Sequence, residues 1–238
     1  MSPARRRRDQ GAGRDASVLL EPRLFGCARA GGGEARRPEF YRALRALCDE
    51  RGMLLIYDEV QTGVGRTGQW FFAGSGAGGG VVPDVVTLAK ALGSGVPVGA
   101  CLTTEGVAGA IKENDLGTTF GGGMLAMAAT LATLEAIEAD GMLENARAVE
   151  AYLREGLKGV SHVAGLRGLG LLLGVELDAP VAAKAQQALL EQHIITGTSS
   201  DARVLRLLPP LCLKTEEAGL FVEELKRAME SLTCAQPS

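Results

Sequence analysis

Histidine is nearly absent: His162 and His193 are the only two in 238 residues, and they stand far apart. Nothing with metal-ligand spacing can be assembled around them, so no metal site is expected. The five cysteines, Cys27, Cys48, Cys101, Cys212 and Cys234, are an odd number without a CxxC pair. That usage suits a reducing compartment rather than a disulfide framework. No apolar run reaches membrane-spanning length, and no secretory apolar segment follows the N-terminal arginines. A net charge of −3 gives no overall electrostatic attraction to nucleic acid or to an anionic membrane. The expectation is a cytoplasmic protein with neither kind of partner.

What is present is an ordinary globular composition, 46% hydrophobic and 22% charged, in a chain long enough to bury a substantial core. Residues 1–16, MSPARRRRDQGAGRDA, carry a run of arginines without apolar periodicity and read as a solvated, disordered leader. From Ser17 the pattern changes. SVLLEP reads as a short buried strand, PEFYRALRALCDERG as a helix with Phe40, Ala43, Leu44 and Leu47 on one face, and MLLIY as a strand apolar throughout. Pro38 fits the first turn of that helix and Gly52 the position just past its end.

PDVVTLAK and VPVGACL read as further strands beyond a glycine-rich loop. MLAMAATLATLEAIEAD reads as an amphipathic helix with Met124, Met127, Leu131, Leu134 and Ile137 along one stripe. A second helix follows with Leu143, Ala146, Val149 and Leu153 on one face. Past about residue 158 come a glycine-punctuated strand region, GLRGLGLLLGVEL, and a helix with Asp178 and Pro180 near its start. Short strands at IIT and VLRLL precede a final helix that aligns Phe221, Val222, Leu225 and Met229. Strands interleaved with helices indicate α/β layering. The expected organisation is a leader at 1–16, a mostly parallel α/β domain at 17–158 and a small α+β domain at 159–238.

The chemistry concentrates at two strand ends. LLIYDEVQTG closes an apolar strand with Asp58 and Glu59, and VVTLAK closes another with Lys90. In open α/β sheets ligands gather at the C-terminal ends of strands. Alternation along a strand puts Asp58 and Val60 on one face and turns Glu59 away. A lysine in partly apolar surroundings has a lowered pKa and becomes a nucleophile toward carbonyls. An aldehyde cofactor with a basic ring nitrogen would use both groups, the amine on the aldehyde and the carboxylate on the protonated ring. Taken singly, the lysine reads more readily as a solvated side chain and the DE pair as a surface cap.

YDEVQTGVGRTG, PDVVTLAKALGSGVPVGA, GTTFGG and LRLLPPL, in that order, resemble the signature blocks of the class III aminotransferases, pyridoxal-phosphate enzymes of fold type I, and most of all the acetylornithine branch. The resemblance runs from about Ser17 to about Leu232. It implies a partial large cofactor domain followed by the small C-terminal domain. It implies that Lys90 is the Schiff-base lysine and proton shuttle, that Asp58 partners the pyridinium nitrogen, that Val60 packs on the ring and that Gln61 bonds the ring hydroxyl. It implies that Thr119 reaches the cofactor phosphate of a second subunit, which makes a homodimer with shared sites, and that Thr118 is a neighbouring substrate contact. Arg206 matches the arginine that grips the substrate carboxylate. The implied reaction takes the amino group of acetylornithine, or a related ω-amino donor, to 2-oxoglutarate.

The family's N-terminal phosphate turn, ring-stacking aromatic and second substrate arginine have no counterpart here. EPRLFGCARAGGGEARRPEF replaces a QGEGG-like stretch, so Glu34 is not equated with the family glutamate. Two alternatives stay open: an inactive remnant of the family, and an enzyme for another amine such as 4-aminobutyrate or a carrier-bound lysine.

Overall fold

The structure, a computed structural model, describes residues 17–20 and 37–234. The leader, the stretch around Glu34, Cys27 and the last four residues lie outside them. The chain forms two compact units, which among the described residues comprise 17–20, 37–64 and 69–136, and then 65–68 and 137–234.

The first unit is built on a four-stranded sheet in the order β1 (Ser17–Leu20), β2 (Leu54–Asp58), β3 (Val85–Leu88), β4 (Ala100–Thr103). β1, β2 and β3 run parallel, with Ser17 beside Leu54 and Ile56 beside Val85, while β4 is antiparallel to β3. The α/β expectation holds, and the antiparallel strand sits at one end of the sheet. VPVGACL enters the sheet only from Ala100; Val96 to Gly99 form the approach to it.

Helix α1 (Pro38–Arg51) starts on Pro38 and stops at Gly52, whose φ of 64° is left-handed. It packs on β2. Its inner face is centred on Tyr41 and Cys48, whereas Ala43 and Leu47 are exposed, so the expected face is rotated. Aromatic packing accounts for the rotation: Tyr41 meets Phe72 edge-on with centroids 5.4 Å apart and lies 6.2 Å from the buried Tyr57. Buried Asp84 ties the helix to the sheet by accepting from Arg45 at 2.7 Å and from the Leu55 N–H at 2.9 Å.

Beyond β4 come a short helix α2 (Glu105–Ala108) and then α3 (Met124–Ala139). The amphipathic expectation for α3 is corrected. Met124, Met127 and Leu131 are exposed, and Ile137 alone of the expected stripe is buried. MLAMAATLATLEA is apolar or small almost all round, so its pattern does not single out one face.

The second unit carries α4 (Met142–Gly156), β5 (Val163–Leu169), β6 (Leu172–Leu177), α5 (Ala182–Glu191), β7 (Gly197–Thr198), β8 (Val204–Leu207) and α6 (Thr215–Cys234). Its sheet is antiparallel with the order β5, β6, β8, β7. α4 and α5 pack on α6, and α5 also meets β8. Ala146, Val149, Leu153, Phe221, Val222, Leu225 and Met229 are all buried, as their spacing predicts. β7 forms at Gly197–Thr198 rather than at IIT. α5 starts at Ala182, after Val181, and Asp178 bonds His162 at 2.9 Å instead of capping that helix.

Candidate active site

β2 and β3 end side by side, and the register pairs Asp58 with Thr87. Asp58 is half-buried there. Its Oδ1 accepts from the Thr87 hydroxyl at 3.0 Å and from the Val60 N–H at 3.1 Å. Its Oδ2 takes no hydrogen bond among the described residues. One oxygen is therefore fixed and the other is available to an external donor. Thr87 was readable as the single hydroxyl in the apolar run VVTL, but only the register reveals its partner.

Glu59 does leave the Asp58 face, and it goes inward. It is 1% exposed and accepts the Phe72 and Ala73 N–H groups at 2.7 and 2.9 Å and the Thr62 hydroxyl at 3.2 Å. Burial pushes its pKa above the ordinary carboxylate value, against the lowering effect of those three donors. Its backbone N–H also donates to Thr87 O at 3.0 Å. The loop leaving β2 is thus anchored from within, and it carries the half-buried Val60 and Gln61.

Lys90 follows β3 by two residues and opens a short 3-10 turn, Lys90–Gly93. Its φ of 46° is left-handed, which a residue with a Cβ adopts only under constraint. The partly apolar environment expected for it is corrected: Lys90 is exposed, because the residues that follow turn their apolar side chains inward, with Leu92 buried. Asp58, Val60, Gln61 and Lys90 thus collect at neighbouring strand ends of the first unit. Thr118 and Thr119 belong to the same unit, on an exposed stretch before α3.

Arg206 lies in the second unit, on β8. Register runs one row across that sheet as Arg167, Gly174, Arg206, Gly197. A Cβ on Gly197 would stand 3.3 Å from Arg206 Nε, so the glycine leaves room for the side chain to lie over β7. Arg206 Nε is buried without a hydrogen-bond partner among the described residues. An orphaned guanidinium N–H suits a carboxylate, which accepts two parallel bonds.

A mostly parallel sheet with flanking helices, and with a carboxylate and an amine at adjacent strand ends, is an α/β fold with its polar groups where such sheets bind ligands. The class-III aminotransferase family model matches residues 7–229, and the chain belongs to that family. It is 46% identical over 227 residues to acetylornithine aminotransferase 1 of Bordetella bronchiseptica, covering 94% of this chain and 56% of that protein. Among solved structures it is similar to N-acetylornithine aminotransferase from Stenotrophomonas maltophilia, with a TM-score of 0.78 and 32% identity over 93% of this chain and 58% of that one. It is also similar to ornithine aminotransferase from Toxoplasma gondii, described with partial occupancy of PLP at its active site, with a TM-score of 0.76 and 28% identity over 91% of this chain and 51% of that one. The chain spans about half the length of the curated relatives it matches.

Proposed function

We propose that this chain carries part of the pyridoxal-phosphate site of an acetylornithine-type aminotransferase, acting on acetylornithine or a related ω-amino donor with 2-oxoglutarate as acceptor. The observation that carries the reading is the placement of Asp58 and Lys90 at the ends of adjacent parallel strands, with one carboxylate oxygen hydrogen-bonded and the other without a hydrogen bond among the described residues. When bound, the cofactor would supply an aldehyde for primary amines and a protonated ring that withdraws electrons. Asp58 Oδ2 would accept from the ring N–H and keep it protonated. Val60 would pack on the ring, and Gln61 would bond its hydroxyl. Lys90 Nζ would hold the aldehyde end and, when free, move the proton at the substrate carbon that bears the amine.

Arg206, with its orphaned Nε, would take the substrate carboxylate. Thr119 would reach the phosphate bound by a second copy and Thr118 would meet substrate, so the working unit would be a homodimer with shared sites. The same reading holds residues 17–158 as the cofactor domain and 159–238 as the small domain. A reducing cytoplasm suits the free thiols of Cys48, Cys101 and Cys212.

The exposure of Lys90 favours a second reading, an inactive member of the family. A glutamate assay on the purified chain with added cofactor separates the two. Acetylornithine and 2-oxoglutarate yield glutamate with the wild type and none with Lys90→Ala if the first reading holds. No glutamate from either protein supports the second, and turnover with 4-aminobutyrate alone reassigns the donor.

A further inference from the structure

GVGRTG supplies Arg66, which the reading above leaves without a task. Residues 65–68 belong to the second unit, although the chain on either side of them belongs to the first. Arg66 takes part there with both its backbone and its side chain. Its carbonyl accepts the Leu171 N–H at 2.9 Å. Its Nη1 donates to Leu171 O at 3.3 Å and to Pro209 O. No carboxylate pairs with it among the described residues, and burial pushes its pKa below the ordinary arginine value.

The register explains why carbonyls are its partners. Leu173 faces Leu207 in the β6–β8 ladder. Extending that antiparallel register by two residues brings Leu171 opposite Pro209. Proline has no N–H to contribute to a ladder. The guanidinium therefore supplies, at this pair, donors that the second strand lacks. The attachment is close: a Cβ at Gly170, whose φ is 58°, would meet the Thr67 carbonyl carbon at 2.4 Å. The Gly170 N–H is taken by Glu150 Oε2 at 2.5 Å.

We propose that Arg66 is a positioning residue for Arg206, closing the β6–β8 ladder at Leu171 and Pro209 and so fixing the strand that carries the carboxylate-binding guanidinium. The inference rests on the assignment of Arg206 to the substrate carboxylate. It also gives the loop that begins at Asp58 a second role, since the same stretch of chain anchors β8.

The test compares the full chain with Arg66→Met, Arg66→Lys and Arg206→Gln by two readouts: amide hydrogen exchange along β8, and calorimetric binding of 2-oxoglutarate. Arg66→Met is expected to speed exchange at Arg206 and Leu207 and to weaken 2-oxoglutarate binding, each by about tenfold, with exchange in α1 unchanged. Arg66→Lys, which keeps one donor nitrogen, falls between Arg66→Met and the wild type. Arg206→Gln weakens binding and leaves β8 exchange as it was. If Arg66→Met unfolds, as uniform loss of protection would show, Arg66→Lys decides alone. Wild-type β8 exchange in the folded Arg66 variants overturns the inference, as does wild-type affinity in them where Arg206→Gln has lost it. Binding that Arg206→Gln does not weaken, or that the wild type lacks, overturns the Arg206 assignment and the inference with it, whatever β8 exchange shows.

Discussion

Lys90 holds a backbone conformation that its own side chain resists. Left-handed φ at a non-glycine residue costs on the order of 1 kcal/mol. Replacing Lys90 with glycine should relieve that strain, whereas alanine should keep it. Urea unfolding of Lys90→Gly and Lys90→Ala should then differ by about 1 kcal/mol in favour of glycine, and neither variant should attach cofactor. Tyr57 offers a second test. Its ring is fully buried and its hydroxyl has no partner among the described residues, and burial pushes its pKa far up. Tyr57→Phe removes a desolvated hydroxyl while keeping the ring and should leave the thermal midpoint equal or higher. At this scale the sequence located Asp58 and Lys90 at strand ends, because an apolar run that stops in a charge is visible in the letters. It missed the exposure of Lys90 and the anchoring by Glu59, since both depend on how the following loop folds back.

Among the elements, the loop from Glu59 to Ala73 is organised by one buried carboxylate. The folded pKa of Glu59 lies above its ordinary 4.5, so the folded state binds a proton that the unfolded state has already released. The stability linked to that proton is present below 4.5 and lost as pH rises through the folded value. Wild-type stability should therefore fall relative to Glu59→Gln as pH rises from 4.5, a trend that denaturant titrations across pH would register. A flat difference between the two proteins would contradict the assignment. Helices α4 and α6 were legible because apolar residues recur at helical spacing against charged ones. The face of α1 was not, because Tyr41 and Phe72 pair across a loop whose course the sequence does not state. Arg66 escaped notice for a related reason: its partners are backbone carbonyls more than a hundred residues away.

For the whole molecule, the α/β class followed from strand and helix runs in alternation, and the family from four motifs in order. What the letters could not give is the surface left uncovered. Met124 is 91% exposed, Leu125 76% and Phe120 89%, all within one short stretch. Among the described residues β1 and β4 also end the sheet without a further strand. An exposed apolar strip and open sheet edges each favour association. Sedimentation should show mass rising with protein concentration, and lysine at both Met124 and Leu125 should reduce that association without changing helix content. A wild-type chain that stays monomeric at all concentrations would contradict this expectation.

The central claim is that Asp58 and Lys90 serve one cofactor, and borohydride reduction after incubation with pyridoxal phosphate tests it directly. Peptide mapping should place the reduced adduct on Lys90 in the wild type, with Asp58→Ala lowering its yield about tenfold or more. An adduct spread over surface lysines, or one on Lys90 that is indifferent to Asp58→Ala, would contradict the account.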